Sequence, residues 1–230
     1  MISAVFWGLE AVFSTLFIID GRKIITCKTL CYKMIASFLF VAYAFYRLMQ
    51  SPANVQYSRL ILIALLFSFI GDFFLGYASV KEKNATRLGI IGGAAFFLTH
   101  VFLLYSYFSV NNVWNKATFW IIFAVNLSVL GGLLPVLKVK FGRLLPLVVV
   151  YISAISLMTA TAMYISLALG QIPLLLTLGL GAILFEVSDF TLSLKIFSSE
   201  RFDNFAVRVI YASAYFMAQM LIGTSVLFMS

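Results

Sequence analysis

Apolar residues run almost without interruption along this chain, in stretches of about twenty broken by short polar joints. The stretches fall at roughly 2–19, 30–49, 60–79, 88–109, 117–137, 144–168, 173–194 and 205–229. Each is long enough to cross a hydrocarbon layer of about 30 Å as a helix rising about 1.5 Å per residue. Lipid tolerates only helices and closed barrels, and continuous apolar runs of this length do not alternate as barrel strands must. Pro52, Pro135, Pro146 and Pro173 fall at or near the ends of the runs, as helix punctuation requires. The pattern therefore predicts an all-α polytopic membrane protein, a bundle of about eight transmembrane helices forming one integral membrane domain over residues 1–230. The opening MISAVFWGLEAVF has neither a basic leader nor a small-residue cleavage site, so it reads as the first span.

Composition agrees: 63% of the 230 residues are hydrophobic, 17% aromatic and only 10% charged. A soluble domain could not cover that composition with polar surface. The net charge of +8 would suggest nucleic acid in a soluble protein, but here the cations sit in the joints and set topology instead. Arg22, Lys23, Lys28, Lys81, Lys83, Arg87, Lys138, Lys140, Arg143, Lys195, Arg201 and Arg208 follow odd-numbered spans, and Lys33 lies just inside span 2 on the same side. Arg47, Arg59 and Lys116 occupy the other side. Thirteen against three places the first set in the cytoplasm and both termini outside it. A bacterial inner membrane or the endoplasmic reticulum would suit such a chain. Cys27 and Cys31 share a helical face near a boundary, where two thiols alone make a weak metal site.

Against this background the intramembrane ionisable residues stand out: Glu10, Lys33, Asp72, His100, Glu186 and Asp189. Each charge costs roughly 2.5–3.5 kcal/mol or more to insert, so such residues are functional candidates. Counting from the nearest cytoplasmic cation puts Asp72 and Glu186 at roughly 13 Å depth, Asp189 about 5 Å shallower, and His100 at roughly 20 Å. Small and polar residues share their faces. Ser68, Asp72, Gly76 and Ser79 make one stripe, and Gly179, Ala182, Glu186, Asp189 and Ser193 another. Gly89, Gly93, Phe96 and His100 line span 4, while Tyr211, Tyr215, Gln219 and Gly223 line span 8. Such stripes serve most often as packing surfaces. Two acids at similar depth beside small residues exceed what packing needs, and leave room for something other than side chains. A single histidine argues against a catalytic zinc site built from Asp72, His100, Glu186 and Asp189, so no metal is expected. Lys33, about one turn from the boundary, is expected to snorkel towards the headgroups.

The segments GDFFL (71–75), GGAAFFLTHVFLLY (92–105), Pro146 with Tyr151, GAILFEVSDFTLSLKIF (181–197) and YASAYFMAQMLI (211–222) occur in that order on successive spans. In this the chain resembles the YhhN family, multi-span membrane proteins that include the lysoplasmalogenases. The resemblance runs from about residue 33 to the end. Its most specific element is the pairing of a GD-x-x-L span with a later G-A-x-x-F-x-x-S-D-x-x-L span. It carries over to Gly71, Asp72, His100, Tyr105, Tyr151, Ser188, Asp189 and Gln219. Glu186 lies outside the motif and stays a candidate on depth and helical face alone. What the resemblance implies is hydrolysis of the vinyl ether of a lysoplasmalogen drawn from the bilayer, giving a fatty aldehyde and glycerophosphoethanolamine or glycerophosphocholine.

Two intramembrane carboxyls suit that reaction. Vinyl ethers resist base but open when a proton adds to the β-carbon, leaving an oxocarbenium ion for water to attack. Burial in low dielectric favours the protonated form of a carboxyl, and a neighbouring carboxylate favours it further. Glycosidases meet a related cationic state with two acids. Asp72 and Asp189 are the expected acid–base pair, in an order the sequence leaves open. His100 would orient a carboxyl or a water, and Tyr151 or Tyr215 would supply a hydroxyl. Lys33 and Lys195 are the expected headgroup contacts. No cofactor is required. The competing classes are a proton-coupled transporter using the same acids as a relay, an intramembrane aspartyl protease, and a non-catalytic lipid-binding scaffold.

Overall fold

The computed structural model describes residues 1–22, 24–50, 52–81, 84–139, 141–198 and 202–229. Of the cytoplasmic cations expected from sequence, Lys23, Lys83, Lys140 and Arg201 lie outside the described residues. The helices are α1 (Ile2–Asp20), α2 (Cys27–Met49), α3 (Val55–Val80), α4 (Ala85–Phe108), α5 (Ala117–Val136) and α6 (Leu145–Ala168). The seventh span is composite: a single turn α7 (Ile172–Leu174), a π-helical stretch (Leu175–Gly179) and α8 (Leu180–Phe197). α9 (Phe205–Ser225) completes the chain. Eight helices are long and apolar enough to cross a membrane, and they fall on the eight apolar runs. Among the described residues there is no strand.

Local chemistry sets the helix ends. Thr26 and Thr29 form a capping box at the start of α2, and the Asn54 side chain accepts the Tyr57 N–H at 2.9 Å to start α3. In the seventh span Pro173 lies in the first turn, and Thr177 Oγ1 donates to the Pro173 carbonyl at 2.8 Å, so the wider π turn keeps its backbone partnered.

The interior is built from α2, α3, α4, α6, α8 and α9, with α3 packed along α4 and α8 along α9. α5 packs chiefly on α6, and only Phe119 and Leu130 of its residues are buried. In lipid, helix association rests on close packing and interhelical hydrogen bonds. The α3–α4 seam shows why small residues matter. A Cβ on Gly71 would lie 2.7 Å from the Phe96 ring, and one on Gly92 would lie 2.7 Å from Leu75. These two glycines let Phe96 and Leu75 interlock, which brings Asp72, the next residue on α3, against the bundle centre. Phe96, Phe185 and Tyr215 meet edge to face there, with centroids 5.8–6.4 Å apart. The described cations at the joints after spans 1, 3, 5 and 7 share one end of the bundle, called the basic end below.

Candidate active site

Asp72 is 1% exposed and fully engaged. Its Oδ2 accepts the hydroxyls of Ser37 on α2 and Tyr215 on α9, each at 2.6 Å. Its Oδ1 is ion-paired with Lys33 Nζ at 2.8 Å, and the same ammonium lies 3.4 Å from the Asp72 carbonyl. Here the structure departs from the sequence reading. Lys33 does not snorkel outwards; its ammonium reaches inwards and its side chain is only 13% exposed. The reason lies in α2, where Thr29, Lys33 and Ser37 recur every fourth residue on one inward face. Removing either member of such a buried pair typically costs about 3–5 kcal/mol, because the other is left as an uncompensated charge.

Asp189 on α8 has different company. Its Oδ2 accepts a short hydrogen bond from the Tyr151 hydroxyl of α6 and lies 3.0 Å from His100 Nε2 of α4. His100 Nε2 is also 3.2 Å from Tyr151 Oη, so the three form a closed triangle. The His100 ring packs at a tilt of 48° against Phe185, centroids 4.7 Å apart, and is wholly buried, while its Nδ1 has no partner among the described residues. No described residue hydrogen-bonds to Asp189 Oδ1.

Asp72 and Asp189 both line one small cavity of about 30 Å³, large enough to admit water. Ser188, Lys33 and Tyr215 also line it. A second cavity of about 600 Å³ lies between α4, α6 and α8, with α5 at its flank. Its walls are almost entirely apolar, and its polar groups are few: Asp189, Tyr151, Glu186, Ser193 and Thr86. It extends from Thr86, Phe141 and Phe197 at the basic end to Ile155 and Glu186 deep in the bundle. A Cβ on Gly89 or Gly93 would meet nothing within 4 Å, so that glycine stripe forms open groove wall. The two cavities share Leu75, Phe96, Leu192 and Asp189 as their dividing wall.

The remaining expected residues are distributed as follows. Glu186 lines the groove one turn from Asp189 and accepts the Asn126 amide at 2.9 Å, with its Oε1 unpartnered. Gln219, one turn from Tyr215, donates to Ser68 at 3.3 Å and extends the polar layer to Thr99. Lys195 is ion-paired with Asp203 at 2.8 Å at the basic end, and that ammonium holds the Asp203 carboxyl below its usual range. Tyr105 is 57% exposed on the outer face and takes no part in the site. Glu10 is buried on α1 with Oε1 unpartnered. Ser37 and Asn126 do not stand out in the sequence. Ser37 could have been found by its spacing from Lys33, whereas Asn126 is a lone amide in an apolar run. Among the described residues, no group of three His, Cys, Asp or Glu side chains could hold a metal ion. Cys27 and Cys31 are exposed free thiols.

The model of the YhhN family matches residues 29–226, from the start of α2 to the end of α9. No curated protein and no solved structure matches the chain.

Proposed function

The chain belongs to the YhhN family, and from that premise we propose that it is a lysoplasmalogenase that cleaves the vinyl ether of 1-alkenyl-glycerophospholipids. The observation that carries the proposal is the groove: an apolar cavity of about 600 Å³ walled in part by Asp189, which shares a second, small cavity with the carboxyl-bearing Asp72. A long alkenyl chain fits such a cavity by size and polarity, and the acid-sensitive bond would then lie beside Asp189.

The surroundings of the two carboxyls suggest their division of labour. Tyr151 and His100 both bind Asp189 through Oδ2, which leaves Oδ1 to carry a proton. In the proposed reaction Asp189 Oδ1 protonates the β-carbon, the π electrons form the new C–H bond, and the positive charge is shared between the α-carbon and the ether oxygen. Water from the small cavity adds to the α-carbon and returns a proton to the Asp189 carboxylate, giving a hemiacetal. The hemiacetal collapses as the same carboxyl passes a proton to the glycerol oxygen and takes one from the hydroxyl. The products are a fatty aldehyde and the glycerophospho-alcohol, and Asp189 is left as it began. Asp72, fixed by Lys33, Ser37 and Tyr215, supplies the preorganised negative charge that orients the water and faces the cation. Phe96, which walls both cavities, and Phe185 packed behind it and against His100 limit the entry of other water.

The test is direct. Purified protein is incubated with a panel of lysolipids and long-chain aldehyde is measured by mass spectrometry. Release from 1-alkenyl lysolipid and from no ester-linked counterpart is expected, and its absence with wild-type protein would overturn the reading. Full aldehyde release by Asp72→Asn or Asp189→Asn would overturn the assignment of roles.

A further inference from the structure

A buried cation at the basic end has no place in the chemistry above. Arg208, in the first turn of α9, is 6% exposed, yet its Nη1 has no hydrogen-bond partner. A buried donor left without an acceptor is costly, and a guanidinium more so. The local acids are already engaged. Asp20 binds Lys28 and Thr29, Asp72 binds Lys33, and Asp203 binds Lys195. Arg22, whose guanidinium lies 5.1 Å over the Phe205 ring one turn before Arg208, likewise has no carboxylate among the described residues. Gly21 at the end of α1 makes room for the guanidinium: a Cβ there would lie 2.3 Å from Nη1 and 3.0 Å from the Phe17 carbonyl oxygen.

Position connects this cation to the site. Arg208, Tyr211, Ala212 and Tyr215 fall at i, i+3, i+4 and i+7 on one face of α9, and the last three line the water-sized cavity. From Tyr215, which holds Asp72, to Arg208 is a rise of about 10 Å along the helix. In a glycerophospholipid, five bonds of about 1.5 Å separate the sn-1 ether oxygen from phosphorus, or about 6 Å when extended. An arginine side chain spans the remaining distance, and its planar fork matches two phosphate oxygens.

We infer that Arg208 forms a phosphate-binding subsite, one turn towards the basic end from the water-sized cavity, with Arg22 adding positive field. The inference rests on the lysoplasmalogenase reading and assigns its headgroup end. It replaces Lys33 and Lys195, whose ammonium groups are taken by Asp72 and Asp203. The ligand is a phosphate group. Its source is the substrate headgroup, and the same subsite would hold the glycerophospho product.

The experiment compares two substrates that differ only in the phosphate: 1-alkenyl-glycerophosphoethanolamine and 1-O-alkenylglycerol. Arg208→Gln should lower the preference for the phosphate-bearing substrate, as a ratio of kcat/KM, at least tenfold, mainly through KM. Arg208→Lys should recover part of it. An equal loss on both substrates would mean a purely structural arginine, and an unchanged ratio would mean that phosphate binds elsewhere; either overturns the subsite. Inhibition is measured with glycerophosphoethanolamine and with inorganic phosphate. Arg208-dependent inhibition by the first supports the headgroup. Equal inhibition by inorganic phosphate with an unchanged lysolipid KM would assign the site to free phosphate and overturn the inference. Binding of the non-hydrolysable 1-O-alkyl lysophospholipid and 1-O-alkylglycerol is followed by native mass spectrometry. This separates the two claims: without aldehyde release the enzymatic reading fails, while an Arg208-dependent difference between these ligands still supports the subsite.

Discussion

Asp72 and Asp189 line one small cavity, and their surroundings differ in kind. Asp72 is buried, ion-paired with Lys33 and bound by two hydroxyls. Asp189 is held by Tyr151 and His100 through a single oxygen and also borders the large apolar groove. The first arrangement partners both carboxyl oxygens; the second leaves Oδ1 without a hydrogen bond from any described residue, beside an apolar groove. Two aspartates that look equivalent in sequence thus differ because one gained a lysine and the other gained open space, and in the proposed reaction they would take opposite tasks.

The sharpest way to break this comparison is to neutralise each acid in turn. Asp189→Asn should lower aldehyde release by about 10³-fold, within the usual range for losing a general acid, with little change in thermal stability in detergent. Asp72→Asn should lower activity and stability together, since it strands the Lys33 ammonium. Equal stability losses in the two variants would remove the distinction between a charge-fixing and a proton-exchanging carboxyl.

Lys33→Met tests the fixed charge from the other side. It should destabilise the protein by about 3–5 kcal/mol, as loss of one partner of a buried pair does. Adding Asp72→Asn to it should restore most of the stability but no activity. A single variant Lys33→Met as stable as wild type would mean that the ion pair does not hold Asp72.

What the sequence revealed, and what it hid, follows the same division. Helix number, the inward acid stripes and the glycines beside them were legible, because lipid makes hydrophobic run length and helical spacing almost deterministic. The expectation of room beside the acids was not met on their own helices, where a Cβ on Gly76 would lie 2.5 Å from Leu30 and one on Gly179 would lie 3.2 Å from Leu175 and Met163; the open space lies at Gly89 and Gly93, on the helix of His100. The direction of Lys33 was misread because a lysine near a boundary can reach either way, and only the position of Asp72 on a neighbouring helix decides between them. The groove itself could not be read. It arises where α5 lies outside α6 and leaves α4, α6 and α8 partly unfilled, a tertiary fact with no local signature. The π-helical stretch after Pro173 was equally hidden, since a proline and a later glycine mark an irregular start without specifying the turn.

The groove side of the comparison is open to a gentler change. Because a Cβ on Gly93 would meet no atom within 4 Å, Gly93→Leu should fold normally and occupy part of the cavity. Long-chain substrate should lose roughly tenfold in kcat/KM, about 1.4 kcal/mol, with short-chain substrate less affected. On the α3–α4 seam Gly71→Ala should instead lower stability, because its Cβ would lie 2.7 Å from Phe96. If both glycine variants behaved alike, the groove would not be a space distinct from the packed core.

The smallest effect is expected at the outer rim. Lys195 and Asp203 form an ion pair whose side chains are 23% and 65% exposed, so solvent screens much of their attraction. Lys195→Ala should cost no more than about 1 kcal/mol of stability, the usual range for such pairs. Its effect on the preference for phosphate-bearing over phosphate-free substrate should stay below that of Arg208→Gln. The rank order matters more than either value. A larger effect at Lys195 would move the headgroup to the end of α8, beside the mouth of the groove at Phe197, and the substrate would then lie wholly on the Asp189 side of the wall. A smaller effect at Lys195 would instead favour the α9 side, where Arg208 lies one turn from Tyr211 and Ala212 at the small cavity.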